Sequence, residues 1–403
     1  MKKILLIVLI LTALFVGTAV ADEAKDITTS CKISIPNCAT SLKFMTDRDR
    51  HTTTSDWGKQ ELTAYIVPGD TPAAGVYIEF GKVILPFHVE ERDDRGRWHT
   101  IGEFTDDIYP EAFLSFAPQK NMFRIIFHPK DGKRELAIRE LFILSEGETG
   151  REYNHVWQPA PEKADMMVLV AYPGDEIRWF GGAIPYYAGE KGLHVAVCSL
   201  TCEDLCHELE FVNGLWQMGV QNYPDIGTLD CREYATLAEI YEAWGRKETE
   251  QYIVRLIRKY KPEVLLTPDI KGEGGQAGNI ACAESSIHAV EMAANPEYDP
   301  ESVAEYGEWE VKKVYIHLGT HPTMTMDWTQ PLTAFDGKSG LEVAKVAYKY
   351  HEAQTGISLE IAYPGTNYDS SLFTLLRSTV GVDMQCDDFF ENIPEESLSI
   401  VLQ

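Results

Sequence analysis

Basic residues are scarce in this chain. Lys and Arg number 36 against 62 Asp and Glu, a formal net charge of −26 over 403 residues. A surface that acidic does not hold a phosphate backbone by counterion release, so nucleic acid is excluded as a partner. Polybasic attachment to an anionic membrane surface is excluded on the same ground. Cysteine is sparse too: eight are too few, at this length, for a disulfide-built scaffold. There is no CxxC pair, no internal repeat and no low-complexity tract. What is abundant is apolar surface. With 44% hydrophobic residues and 11% aromatics the chain is not disordered. It can bury large cores, in two domains or one large one.

The N-terminus reads as an export signal covering residues 1–21. Lys2 and Lys3 precede the apolar run Ile4 to Val16, and Ala19-Val20-Ala21 gives the small-x-small pattern of a cleavage site. The run is short of the roughly 20 apolar residues a spanning helix needs, and acidic Asp22 and Glu23 follow at once. No later segment is long and apolar enough to span. The expectation is a secreted, extracytoplasmic mature chain with no membrane insertion. In that compartment Cys31 and Cys38 could bridge a short loop. Cys198, Cys202 and Cys206 are spaced by four, but Cys198 ends an apolar strand, so buried thiols or a disulfide are expected before zinc.

Two textures divide the rest. From 22 to 150 short apolar or alternating runs recur: Leu62 to Val67, Gly75 to Phe80, Val83 to Val89, Phe113 to Phe116, Phe123 to Phe127 and Leu136 to Leu144. Turn clusters such as Pro68-Gly69-Asp70 and Lys130-Asp131-Gly132-Lys133 separate them, which predicts a β-sandwich or barrel. The segment from Asp47-Arg48-Asp49 to Trp57, with the closing runs Arg124 to Phe127 and Ile138 to Ile143, resembles discoidin-like, galactose-binding-type modules. That resemblance implies a carbohydrate-binding β-sandwich with Trp57 and Trp98 as loop aromatics; the alternative is that both are buried for packing.

Gly147, Gly150, Pro159 and Pro161 mark a linker, and from 151 to 403 strands alternate with helices. Met166 to Ala171, Leu193 to Leu200, Glu263 to Thr267 and Val314 to Leu318 are continuous apolar runs of the kind buried in a parallel sheet. Helical patterns occupy Glu203 to Met218, Lys247 to Tyr260 and Asn279 to Ala294. The fold class is therefore α/β, an open sheet preceded by a β-sandwich. Ligands of such sheets sit beyond the carboxyl ends of the strands, near a switch point. That singles out Ala171-Tyr172-Pro173-Gly174-Asp175-Glu176 and the loop from Thr267 to Asn279, which carries Glu273 and Gln276. Asp175 and Glu273 can face one crevice.

At these loops the chain resembles the PIG-L (LmbE-like) family of zinc-dependent de-N-acetylases. The family's first loop is Ala-His-Pro-Asp-Asp-Glu and its later loop Gly-His-x-x-His. The resemblance runs from about 164 to 394 through Trp179-Phe180-Gly181-Gly182, Glu210, Gly214-Leu215-Trp216, Gly219-Val220, Met326-Asp327-Trp328, His351-Glu352-Ala353-Gln354 and Arg377-Ser378-Thr379-Val380-Gly381. It implies a Rossmann-like α/β sheet and a zinc cofactor, and it also implies loss. The positions of the three family zinc ligands hold Tyr172, Asp175 and Asn279. The general base position is Gly174, and the second loop histidine, which assists the oxyanion or leaving group, is Gln276. A helix-opening arginine is His207.

Catalytic zinc needs three protein ligands and one open position. Tyrosine stays protonated to about pH 10, and an asparagine amide is a weak neutral ligand. The loss of a general base alone costs roughly 10²- to 10⁴-fold. The resemblance therefore implies a pseudoenzyme that needs no cofactor and binds a glycan or amino-sugar ligand in a crevice formed by Tyr172, Asp175, Trp179, His207, Glu273, Gln276, Asn279 and His351. The alternative is an active zinc deacetylase with a non-standard metal site, drawing on His194, His207, His288, His317, His321 or His351. A third possibility is a structural surface protein using the sandwich alone. Asp175, Glu176 and Glu273 could also act as a metal-free acid–base set, although acidic residues at a helix start are commonly caps.

Overall fold

The computed structural model describes residues 23–38, 40–49, 52–81, 83–105, 111–150, 153, 155, 157–202, 205–351 and 364–399. The proposed export signal lies outside the described residues, as do 352–354 of the His351 stretch.

The N-terminal part is all β. Its strands are β1 (Lys32–Ser34), β2 (Thr54–Gly58), β3 (Leu62–Val67), β4 (Ala73–Phe80), β5 (Phe87–Arg92), β6 (Trp98–Phe104), β7 (Glu111–Gln119), β8 (Phe123–Phe127) and β9 (Arg134–Ser145). They form a five-stranded sheet in the order β1-β3-β8-β5-β6 and a four-stranded sheet in the order β2-β9-β4-β7. Every pairing in both is antiparallel. Leu62, Ala64 and Ile66 alternate inward from one sheet, and Val76, Ile78 and Phe80 from the other, into one shared core. The run at Val83 to Val89 behaves differently from its pattern: the strand starts only at Phe87, directly after Pro86, which has no N–H to give a ladder.

The C-terminal part is α/β. Its elements are β10 (Met166–Val170), α1 (Asp175–Phe180), a π-helical turn at Pro185–Glu190, β11 (Val195–Thr201), α2 (Leu205–Gln217), β12 (Asp225–Leu229), α3 (Leu237–Trp244), α4 (Arg246–Tyr260), β13 (Val264–Thr267), α5 (Ala277–Ala293), α6 (Pro300–Tyr306), β14 (Lys313–His317), β15 (Met324–Thr325), α7 (Gly340–Tyr348) and β16 (Leu372–Ser378). One sheet runs β12-β11-β10-β13-β14-β16-β15. Its first five strands are parallel, and β16 and β15 extend it antiparallel.

The central strand shows why its sequence is apolar throughout. Met166, Val168 and Val170 face one core, shared with α1, α2 and α7. Met167, Leu169 and Ala171 face the other, shared with α3, α4 and α5. With both faces covered, no position along β10 meets water. Capping boxes set the starts of two covering helices, Thr236 with Glu239 for α3 and Ser339 with Glu342 for α7. The chain starts in the middle of the sheet and winds outward both ways, so the loops after β10 and β13 leave adjacent strands at one switch point.

The two parts meet through His155. Its Nδ1 lies 2.5 Å from Glu111 Oε2 on β7, and its ring packs 5.0 Å from Trp216 on α2. Beside it, Tyr223 donates to Glu208 at 2.6 Å.

The bridge that Cys31 and Cys38 could form is not made. Both thiols are free, with Cys31 directed at the Ile27 carbonyl and Cys38 at that of Ser55. Cys198, Cys282 and Cys386 are free as well. The side chain of Cys206 lies outside the described residues. Among the described residues no helix is long and apolar enough to cross a membrane.

Candidate functional site

The first loop turns sharply where β10 ends. Gly174 sits at φ +99°, a conformation that side chains strain to adopt. Its N–H donates to Glu176 Oε2 at 2.7 Å, so Glu176 does serve the helix start. Asp175 does not cap. Its Oδ1 accepts the indole N–H of Trp179, one turn along α1, at 3.2 Å. Its Oδ2 is buried with no hydrogen-bond partner. Burial pushes this carboxyl up to about 7; the Arg178 guanidinium opposes the rise, and the charges of Glu273 and Glu176 add to it.

The loop after β13 is tied by carboxylates. Asp269 accepts the N–H groups of Lys271 at 2.8 Å and Gly319 at 2.9 Å. Glu273 Oε1 accepts Asp269 N–H at 3.0 Å and lies 2.8 Å from His317 Nδ1. Its Oε2 has no partner. His317 ends β14, and its Nε2 lies 3.1 Å from the Asp369 carbonyl. Trp179 stacks on this imidazole with ring centroids 5.6 Å apart. The exposed ring of Tyr368 lies 5.7 Å from Trp179. Asp175 and Glu273, far apart in sequence, are thus joined through Trp179 and His317.

Gln276 is exposed at the start of α5. Its Oε1 accepts the amide of Asn279 at 3.0 Å, while Asn279 Oδ1 is buried without a partner. Tyr172 lies flat against Gly278, where a Cβ would fall 2.2 Å from its hydroxyl oxygen. Burial and the nearby Asp175 charge push that hydroxyl well above the usual tyrosine range. On the other side of α1, His351 Nε2 lies 3.4 Å from Glu176 Oε1, and its Nδ1 lies 4.0 Å from Glu210 Oε2. Gly214 makes room for this ring: a Cβ there would sit 3.2 Å from His351 Nε2.

Asp175, Trp179, Glu273, Asn279 and His351 are therefore buried together, with Tyr172 half-buried beside them and Gln276 at the surface. His207 is half-buried near the start of α2. Of the histidines weighed as replacements, His317 is drawn into the centre. His194 precedes β11 at the opposite end of the sheet, His288 pairs with Glu250 at 2.5 Å, and His321 is exposed. Sequence reasoning gave His317 no specific role and missed Asp369 and Tyr368. The available signal was that β14 neighbours β13 and that His317 is its last residue.

These residues do not fit zinc. Asn279 is a neutral amide turned toward Gln276, and Tyr172 is packed on Gly278 with its proton held firmly. Among the described residues no group of three His, Cys, Asp or Glu could hold a metal ion. The site is instead a buried carboxylate cluster of Asp175, Glu176, Glu210 and Glu273, with His317 and His351 inserted in it. The cavities of about 440 Å³ beside Gln158 and His194, and of about 460 Å³ beside Glu208 and Tyr223, are lined by other residues.

In the sandwich, Trp57 on β2 is 56% exposed, whereas Trp98 is partly buried, with the Arg124 guanidinium 4.2 Å from its ring centroid.

No protein-family model matches the chain. It is similar to 1D-myo-inositol 2-acetamido-2-deoxy-alpha-D-glucopyranoside deacetylase 1 of Catenulispora acidiphila, 27% identical over 186 residues, which cover 39% of this chain and 56% of that protein. The corresponding deacetylase 2 of Saccharopolyspora erythraea is 27% identical over 179 residues, 37% of this chain and 63% of that protein. The chain thus spans less than two thirds of the length of these relatives. Among solved structures, CpGH89CBM32-6 from Clostridium perfringens is matched over its whole length by 30% of this chain, at 12% identity and a TM-score of 0.26. The family 32 carbohydrate-binding module of C. perfringens NanJ, in complex with galactose, is matched over 99% of its length at 13% identity and a TM-score of 0.27.

Proposed function

We propose that this is a secreted, carbohydrate-directed protein whose α/β part, residues 151–403, has the Rossmann-like fold of the de-N-acetylases and has exchanged metal chemistry for ligand binding. Residues 22–150 form a sandwich that adds a second glycan contact, and residues 1–21 are removed on export. The similarity to deacetylases of an N-acetylglucosamine-type substrate supports the carbohydrate direction. One observation supports the loss of metal chemistry: at the positions where the resembled family carries its zinc ligands stand Tyr172, Asp175 and Asn279, with Tyr172 packed on Gly278 and the Asn279 amide spent on Gln276. Unassisted water has a pKa near 15.7, against about 7 on zinc, so without that ion an amide-cleaving hydroxide is not available at neutral pH. The family base position is Gly174, which has no side chain to replace it.

The test is zinc stoichiometry by elemental analysis of the mature protein, loaded with zinc and then dialysed. No retained zinc, together with binding of an amino sugar, is the expected result. One tightly held zinc per chain overturns the proposal and makes a deacetylase assay the next step.

A further inference from the structure

Polar atoms buried without partners are few in a native protein and ask for an occupant. Among those buried here, four on the loops after β10 and β13 are of one kind. Asp175 Oδ2, Glu176 Oε1, Glu273 Oε2 and Asn279 Oδ1 are all acceptors, all on side chains at least nine-tenths buried, and all lack a hydrogen-bond donor. They surround the switch point, tied by the Asp175–Trp179 and Glu273–His317 contacts. Nitrogens without a hydrogen-bond partner near them are Arg178 Nε on α1, Asn213 Nδ2 and Trp216 Nε1 on α2, and His351 Nε2, the last 3.4 Å from Glu176 Oε1. His317 cannot supply the missing protons, because its two nitrogens already face Glu273 and the Asp369 carbonyl.

Resting on the glycan-binding reading above, we propose that the ligand of this site is a sugar bearing a free primary ammonium, a 2-amino sugar and not its N-acetylated form. An ammonium brings three N–H donors and one positive charge to carboxylates each of which has one oxygen without a hydrogen-bond donor. An acetamide brings one donor, no charge, and a carbonyl that would be a further acceptor among acceptors. A metal ion is the other way to bring positive charge. Among the described residues no group of three His, Cys, Asp or Glu could hold one, and calcium would need six to eight oxygens.

The experiment is isothermal titration of the metal-free mature protein at pH 7 with glucosamine, N-acetylglucosamine and glucose, and separately with zinc and with calcium alone. The expected result is binding of glucosamine about tenfold or more tighter than of the other two sugars, as loss of a charge-assisted contact implies. That preference should weaken with added salt in the wild-type protein and collapse in Asp175→Asn and Glu273→Gln, both isosteric. Equal binding of glucosamine and N-acetylglucosamine overturns the ammonium proposal and leaves the glycan-binding reading standing. Binding of none of the sugars removes both. Stoichiometric binding of zinc or calcium overturns the proposal in favour of a metal. The salt series on the unmodified protein keeps the test decisive if a variant fails to fold.

Discussion

Glu273 and His317 meet at 2.8 Å with both side chains fully shielded from solvent. The second ring nitrogen faces the Asp369 carbonyl, so both nitrogens look at acceptors. Removing one partner of such a pair leaves the other buried and uncompensated, at a cost of about 3–5 kcal/mol. His317→Ala should therefore lower unfolding stability by that order in urea titration, and adding Glu273→Gln should recover part of the loss, since a neutral amide tolerates burial better. A loss below about 1 kcal/mol, the worth of an exposed pair, would show that the contact is solvated.

The seam between the two parts carries a pH signature. Burial raises the Glu208 carboxyl above its ordinary value; the hydrogen bond from Tyr223 partly opposes this, and the Glu111 charge adds to it. A carboxyl with a raised folded pKa binds its proton more tightly when folded. Its contribution to stability is therefore complete below the unfolded value, about 4.3, and is lost as pH rises through the folded value. Glu208→Gln keeps an acceptor for Tyr223 and removes the titration. Its melting temperature should rise relative to wild type at pH 8 and match it at pH 4. An equal shift at both values would mean that Glu208 is not desolvated.

Trp57 and Trp98 allow the proposed glycan contact of the sandwich to be tested apart from its packing. Trp57 is 56% exposed, so Trp57→Ala should leave stability within about 0.5 kcal/mol, as exposed substitutions do. Glycan binding by the sandwich should fall, since stacking on an exposed ring is what it offers. Trp98 carries the Arg124 guanidinium, which in turn pairs with Glu90. Trp98→Ala should cost about 1–2 kcal/mol through that cation–π contact and its packing, and leave glycan binding intact. Thermal melts and glycan titration of the two variants read the two effects apart.

What was legible in the sequence was whatever local pattern dictates. Leu62–Val67 and Phe123–Phe127 were delimited by their own alternation, and β10 by its unbroken apolar run, because one or two covered faces leave a period in the residues. Strand β6 left none: His99, Thr100 and Glu103 are polar and exposed, and the ladder with β5 is what holds it. Strand β16 joins the sheet antiparallel beside β14 from far along the chain, a pairing that no local window contains. The loops after β10 and β13 were legible as site loops, since they follow buried strands. Their closure was not. Whether Trp179 would face a ligand or His317 depends on a residue supplied by β14, and the tilt of Tyr172 onto Gly278 depends on α5.

Restoring the zinc site tests the loop alignment itself. Tyr172→His, Gly174→Asp, Gln276→His and Asn279→His together write in the three ligands, the base and the second loop histidine at the positions that the resemblance to the PIG-L family implies. The geometry admits the hardest of these. Gly174 has φ +99°, so an aspartate there pays on the order of 1–2 kcal/mol in backbone strain, but its Cβ would meet only His351 Nδ1, at an ordinary 3.7 Å. Replacing Tyr172 frees the space over Gly278 that the phenol ring fills, and Asp175 Oδ2 already stands without a partner. The folded variant should retain one zinc per chain after dialysis where the wild-type protein retains none, and Asp175→Asn in that background should remove it. A well-folded variant without zinc would mean that the loops after β10 and β13 do not converge as their sequence suggests. The acidic cluster at the switch point would then have to be explained without reference to a lost metal.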